Sequence, residues 1–316
     1  MRRALAAAVV LVLLGTGLVA AQSSAPTPRT YLLGALNLLR THSMDRDRVD
    51  WPRVEAEALR AAEGASTFSE TYPAIQTVIS ELGNQHTKLL SPAQAKAPLA
   101  TTIAVPSSRV ENGVAMLTIP GLIADPAGER RYIEAGAAAL RAVEAQATCG
   151  WIVDLRDDTG GTMWPMLTVL APLLGDGVAG SFAGPGLAPQ FWTVRDGRSW
   201  SGERPGTEEV NPVRLSRPAP PVAVLTSRVT ASSGEATLIA FRGLARAATF
   251  GGPTAGYATG NDVFDLADGA KLLVTSVADV DRTGRVYGPV PIAPDFPTQD
   301  PETAAGEWLR TRGACA

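Results

Sequence analysis

The segment Val222–Asn261 reads VAVLTSRVTASSGEATLIAFRGLARAATFGGPTAGYATGN. Its first residues, Val222–Leu225, form a short apolar run that predicts a buried strand. A small polar segment containing Ser232 and Ser233 follows, and an apolar helical segment then extends to about Arg246. A serine between a strand and a helix N-terminus can be a nucleophile, because helix-end N–H groups and the helix dipole favour negative charge. Serine is also a preferred N-cap, so this segment by itself is compatible with both roles.

A second segment, Asp154–Gly161, reads DLRDDTGG and follows the apolar run GWIV. Glycines allow a turn to present backbone N–H groups without an obstructing Cβ. Acyl transfer needs two such donors aimed at the developing oxyanion, and we expect the N–H of Gly160 or Gly161, together with that of Ser233, to supply them. The same glycines are compatible with an ordinary tight turn before a helix. The pair Asp157-Asp158 has no histidine or glutamate close by, which favours a structural role over a metal site.

The chain contains two histidines, His42 and His86. His42 lies at a polar helix end, which indicates a structural residue. His86 lies in a loop where a helical region ends, and loops at such junctions often carry function. A histidine titrating near neutral pH can accept a serine proton and return it to a leaving amine. Lys88 and Lys271 are competing bases, but a lysine must be desolvated to act in this way.

The apolar spacing predicts a helical region before the segments just described. Helices are predicted around Tyr31–Leu39, from Asp50 to Ala62, and around Ile75–Leu82. Further along, a strand, a helix and a second strand are predicted between Gly113 and Arg156, which is typical of a βαβ unit. A hairpin is predicted from Asp262–Leu266 and Lys271–Ser276, with its turn at Asp268-Gly269.

Together these motifs resemble peptidase family S41, which includes the tail-specific and C-terminal processing proteases. The similarity lies in Thr230–Glu235, in the glycine turn Gly251-x-Pro253-Thr254-x-Gly256, and in the DLR…GG segment, where Asp158 replaces the asparagine of the family pattern. The processing proteases have a catalytic lysine just after the glycine turn, where this chain has Tyr257. The segment Gly83–Thr87 resembles the histidine motif of the tricorn-type and nisin-resistance-type members, which use a Ser–His pair.

The resemblance implies an α/β (α+β) fold. Residues 22–95 would form a helical N-terminal subdomain, and residues 96–316 a mixed-sheet, ClpP/crotonase-like S41 catalytic core without a PDZ domain. It implies Ser232 as nucleophile and His86 as general base, with no metal or cofactor. It also implies substrate-binding positions at Thr162, Tyr257 and Asn261. A third catalytic residue is not assigned: Asn261 and Asp262 are the nearest candidates, and a bare dyad is the alternative.

The N-terminus predicts export. Met1–Ala21 has a basic start, an apolar stretch and small residues before Gln22, as in a cleaved signal peptide. No later stretch is apolar and long enough to span a bilayer, so the mature protein is expected to be secreted or periplasmic without a stable membrane span. A net charge of -3 gives no electrostatic reason to expect nucleic acid as a partner. In an oxidising compartment Cys149 and Cys315 could form a disulfide, and two buried thiols are the alternative.

The sequence therefore predicts an exported serine peptidase that hydrolyses peptide bonds in a peptide or protein substrate. Two alternatives remain open at this stage. One is a non-catalytic module of the same fold that binds a hydrophobic ligand or a peptide. The other is an esterase-type acyl hydrolase, because a Ser–His pair does not fix the bond that is cleaved.

Overall fold

The computed structural model describes residues 26–97, 102–312 and 315, so the predicted signal peptide, residues 1–21, lies outside the described residues. The helices are α1 (Pro28–His42), α2 (Trp51–Ala61), α3 (Tyr72–Glu81), α4 (Pro92–Ala95), α5 (Pro126–Val143), α6 (Met163–Leu174), α7 (Ser233–Phe241) and α8 (Pro301–Arg312). The strands are β1 (Lys88–Leu90), β2 (Ser107–Glu111), β3 (Val114–Thr118), β4 (Gly150–Asp154), β5 (Gly177–Ala183), β6 (Gln190–Arg195), β7 (Arg198–Ser201), β8 (Arg204–Pro205), β9 (Val222–Thr226), β10 (Ala247–Gly251), β11 (Thr259–Asp265), β12 (Lys271–Asp281) and β13 (Phe296–Pro297).

The three helices predicted before residue 90 are present as α1, α2 and α3. The starts of α1 and α2 are capped by side chains, since the Thr27 hydroxyl accepts the N–H of Thr30 and the Asp50 carboxylate accepts that of Arg53. Their apolar faces share one buried cluster with Leu272 of β12. The helical region and the long strand are therefore packed together, and a domain boundary near residue 95 stays a prediction.

A six-stranded sheet has the strand order β13-β10-β9-β4-β3-β2. Its pairs β3–β4, β4–β9 and β9–β10 are parallel, and β2 is an antiparallel edge strand. The strand–helix–strand unit predicted between Gly113 and Arg156 is confirmed as β3–α5–β4. Helices α5, α6 and α7 contribute to the main core beside this sheet, and α8 packs against β4, β9 and β10 in a separate apolar cluster. Both faces of the central strands are buried, which explains their unbroken apolar runs.

The helix after the serine segment is shorter than predicted. It was expected to reach about Arg246, but α7 ends at Phe241. Arg242 has an extended backbone with ψ of 140°, and Gly243 follows with φ of +78°. These two conformations turn the chain into β10. The prediction failed because alanine and leucine continue the helical pattern through residues whose backbone has already left the helix.

A seven-stranded sheet has the order β1-β12-β5-β6-β7-β8, and β11 also pairs with β12. The predicted hairpin is confirmed as β11–β12, although both strands are longer than expected. None of the helices in residues 26–97 and 102–312 is long and apolar enough to cross a membrane. Cys149 and Cys315 are joined by a disulfide, which ties the chain beyond α8 to the start of β4.

Candidate active site

The site lies where three parallel strands of the six-stranded sheet end. Asp154 of β4 pairs with Leu225 of β9 and with Thr118 of β3, so the segments that follow these strands leave the sheet at one edge. In open α/β sheets this carboxyl edge is where ligands bind. The turn containing Gly160 follows β4 and the turn containing Ser232 follows β9. The topology therefore brings the two predicted motifs together.

Ser232 precedes the first residue of α7 and has an unusual backbone, with φ of +52°. Positive φ is uncommon for a residue other than glycine, and such strain is often found at functional sites. The Ser232 Oγ lies 3.4 Å from the Nε2 of His86. A general base and its nucleophile usually lie about 2.6–3.2 Å apart, and substrate-free sites are often looser. The two residues predicted as a pair are thus neighbours, although 146 positions separate them.

His86 is held in position through β12. This strand pairs with β1, just after His86, and with β11, just after the glycine turn. The hydroxyl of Thr87 also contacts the hydroxyl of Thr275 on β12 at 3.0 Å. On the other side of the imidazole, the Nδ1 of His86 lies 2.8 Å from the Oγ1 of Thr259, the first residue of β11. When Nδ1–H donates to this hydroxyl, the Nε2 lone pair faces Ser232.

The electrostatic surroundings keep His86 neutral. Burial, and then the positive charge of Lys88, lower the pKa of His86 to about 4. At neutral pH the imidazole is therefore unprotonated, which is the form that can accept a proton. Lys88 itself is exposed, and Lys271 forms an ion pair with Asp265. Neither lysine has the desolvated environment that a lysine base requires.

The three predicted oxyanion donors differ in availability. The N–H of Gly160 donates to the Oδ1 of Asp158 at 2.9 Å, so it is already engaged. The N–H groups of Gly161 and Ser233 have no hydrogen-bond partner within the described part of the chain. A Cβ at Gly160 would lie 2.8 Å from the Cβ of Ser232, closer than real Cβ atoms approach. Glycine at this position therefore allows the turn to reach the nucleophile.

Two of the three predicted substrate-binding residues contact His86 of the Ser232–His86 pair, and the third does not. The ring of Tyr257 meets the imidazole of His86 edge-on at 5.3 Å, and its hydroxyl donates to the side chain of Gln85 at 2.9 Å. The side-chain amide of Asn261 donates to the backbone carbonyl of His86 at 3.5 Å. Thr162 is half-buried just before α6. Tyr257 and Asn261 thus contact the histidine, whereas Thr162 lies beyond the glycine pair.

Glu235 connects two turns of the site, a role that its position in the Thr230–Glu235 motif does not predict. Its carboxylate is fully buried and accepts the N–H groups of Ser232 at 2.9 Å, Gly256 at 3.0 Å and Tyr257 at 2.6 Å. The hydroxyl of Thr254 donates to the same carboxylate. One side chain therefore joins the nucleophile turn to the glycine turn.

A second buried carboxyl, Asp279 of β12, lies near Glu235. Burial first, and then the charge of Glu235, raise the pKa of Asp279 well above its ordinary value. Burial also raises the pKa of Glu235, but four donors favour its ionised form. Asp279 is therefore the member of the pair that holds a proton.

Thr259 was missed by the sequence analysis, which named Asn261 and Asp262 as the nearest candidates for a third residue. Asp262 is exposed on β11, and Asn261 contacts the backbone of His86, not its ring. The one local signal for Thr259 is its position as the first serine or threonine after the glycine turn. That signal is weak, because threonine is common in strands.

Valine at Thr259 is expected to lower the second-order rate constant for acylation of Ser232 by about 10- to 100-fold. The substitution keeps the branched shape but removes the partner of Nδ1, so part of the imidazole adopts the tautomer that has a proton on Nε2. The rate constant would be measured with a fluorophosphonate, and the tautomer by nitrogen NMR of the imidazole. Thr259→Ser should restore most of the rate. An unchanged rate and tautomer in Thr259→Val would contradict this role.

The chain is similar to known peptidases. The family model described as Peptidase family S41 matches residues 114–298, more than half of the 316-residue chain. A nisin-resistance protein of Lactococcus lactis subsp. lactis is 28% identical over 287 residues, which cover 91% of this chain and 88% of that protein.

Solved structures show the same fold. A lipoprotein from Streptococcus agalactiae is 24% identical, covers 92% of this chain and 98% of its own, and superposes with a TM-score of 0.74. The photosystem II D1 C-terminal processing protease is 16% identical, covers 92% of this chain and 97% of its own, and has a TM-score of 0.62. With the family model matching residues 114–298, the chain belongs to peptidase family S41.

Proposed function

We propose that this protein is an exported serine peptidase in which His86 activates Ser232 for attack on a peptide carbonyl. The observation that carries the proposal is the contact between the Oγ of Ser232 and the Nε2 of a neutral, half-buried His86. Membership of a peptidase family supports hydrolysis of a peptide bond. The role of these two residues is the part that needs a test.

In the proposed reaction the Ser232 hydroxyl transfers its proton to Nε2 of His86 as Oγ bonds to the carbonyl carbon. The N–H groups of Gly161 and Ser233 would stabilise the oxyanion that forms. The carbon–nitrogen bond then breaks, and protonated His86 gives its proton to the leaving amine. Water, deprotonated by His86, next attacks the acyl ester, and the released proton returns to Ser232.

Export is part of the proposal. The predicted signal peptide and the disulfide between Cys149 and Cys315 both suit an oxidising compartment outside the cytosol. A similar structure is that of a lipoprotein, which supports a cell-envelope or extracellular location.

The test is labelling of the folded protein with a fluorophosphonate, with the modified residue identified by tandem mass spectrometry. We expect the label on Ser232 and not on the adjacent Ser233, whose hydroxyl donates to the carbonyl of Gly161. Protein unfolded in urea should not be labelled, since the activating contact is then lost. Folded protein that carries no label would favour the non-catalytic module, and label on another serine would remove Ser232 as the nucleophile.

A further inference from the structure

Asp158 joins the two turns that carry the proposed oxyanion donors. Its Oδ1 accepts the N–H of Gly160 at 2.9 Å. Its backbone carbonyl accepts the N–H of Ala231 at 2.9 Å, immediately before Ser232. The position of Gly160 relative to the nucleophile therefore depends on this residue.

The carboxyl group of Asp158 is closed off from water. The residue is 0% exposed, and a Cβ at Gly234 would lie 2.9 Å from its Cγ, so the first turn of α7 packs directly on it. Its Oδ2 has no hydrogen-bond partner among residues 26–97, 102–312 and 315. An ionised carboxylate that accepts one hydrogen bond and pairs with no cation is unfavourable in such a place, whereas a neutral acid is much less so.

The charged surroundings do not compensate an ionised Asp158. Arg156, on the same turn, binds Asp154 and reaches Glu302 instead. From α5, the buried phenol of Tyr132 faces Asp158 and donates to the carbonyl of Pro120. Further titratable groups on the neighbouring elements include Asp157 on the same turn, Asp125 before α5, Glu235 in α7, Asp279 on β12 and His86. Helix α5 also carries Glu129, Arg130, Arg131, Glu134 and Arg141. Burial raises the pKa of Asp158 to about 7, although its bond from Gly160 acts in the opposite direction.

We propose that Asp158 is a positioning residue that works as a neutral acid: protonated, it holds Gly160 against the nucleophile turn without adding charge, and ionised, it opposes the oxyanion. The inference rests on the proposed function, because it concerns the acylation of Ser232. A negative charge buried beside an oxyanion site acts through a low dielectric and so is strongly unfavourable. Neutral carboxylic acids that serve oxyanion sites are known in enzymes.

The ionisable side chain at position 158 distinguishes this chain from the family pattern. The family pattern has asparagine at this position, and an amide offers the same acceptor oxygen to the N–H of Gly160 but cannot ionise. Aspartate keeps the hydrogen bond from the N–H of Gly160, but its carboxyl group can also ionise as the pH rises. We therefore expect this chain to lose activity at alkaline pH, which a chain with asparagine at this position would not do.

The experiment is the pH dependence of the fluorophosphonate labelling rate of Ser232. In the native protein we expect the rate to rise through about pH 4, as His86 loses its proton. It should then fall about tenfold for each pH unit above about 7, as the protonated fraction of Asp158 declines. Asp158→Asn should keep the acid limb and lose the alkaline fall. Asp157→Asn, at the exposed neighbouring position, should keep both limbs.

A spectroscopic readout separates this inference from the catalytic proposal. At about pH 6 the infrared spectrum of the native protein should contain, besides the carbonyl band of protonated Asp279, the band of a second buried protonated acid. This second band should shift with 13C-labelled aspartate, decline as the pH rises through about 7, and be absent in Asp158→Asn. That measurement on native protein also holds if the variant fails to fold. Labelled protein whose alkaline fall survives in Asp158→Asn would overturn the inference alone, as would native protein without this second, pH-dependent band. Native protein that is unlabelled at every pH would overturn the proposed function and this inference together.

Discussion

Alanine at Ser232, alanine at His86 and the double substitution are all expected to lower kcat/KM for peptide hydrolysis by a similar factor, about 10⁴-fold or more. The reason is that the two residues act as one unit. Without the imidazole the hydroxyl keeps its proton, and without the hydroxyl the imidazole has no nucleophile to activate. Once either is gone, removing the other costs little more. The rates would be measured with a peptide that the native protein cleaves from a library.

His42→Ala is the matched control, because His42 is the other histidine of the chain and packs on Phe264 of β11, away from the proposed site. We expect it to leave kcat/KM within a few-fold of native. Two results would contradict the dyad. Losses that multiply in the double variant would show independent roles, and high activity in His86→Ala would transfer the role of base to a residue such as Lys88.

The residues predicted from the sequence share one property: their signals are local. Ser232 and the glycines at Gly160 and Gly161 lie in short segments whose strand-to-turn-to-helix pattern can be recognised from adjacent residues. His86 was selected because it lies in a loop after a helical region and because Gly83–Thr87 resembles the histidine motif of the Ser–His members of the family. Strands β4 and β9 were found because a strand buried on both faces is apolar at every position.

What the sequence could not predict depends on contacts between distant segments. The partner of Nδ1, Thr259, is 173 positions from His86 and has no distinguishing pattern around it. The engagement of the Gly160 N–H by Asp158 depends on the rotamer of a buried side chain, which residue spacing does not determine. The sharing of a core between α1–α3 and β12 likewise requires the register of a long hairpin.

Glutamine at Glu235 is expected to lower the free energy of unfolding by about 2–4 kcal/mol and to reduce the labelling of Ser232 by at least about tenfold. The carboxylate accepts from four donors, three of them backbone N–H groups. An amide of the same shape has one acceptor oxygen, and its NH₂ group would face donors on the other side. Buried donors would then lose their partners. Urea titration gives the stability, and the fluorophosphonate gives the rate.

Glu81→Gln is the matched control, since Glu81 is a partly exposed glutamate paired with Arg53, and such surface pairs contribute about 0–1 kcal/mol. A variant Glu235→Gln as stable as Glu81→Gln would contradict the role of Glu235 as the link between the two turns. The expected result has a consequence for the nucleophile. The positive φ of Ser232 is strained, and the Glu235 carboxylate holds its backbone N–H. Loss of that bond should let Ser232 relax, so that the contact with His86 and the stability of the turn decline together.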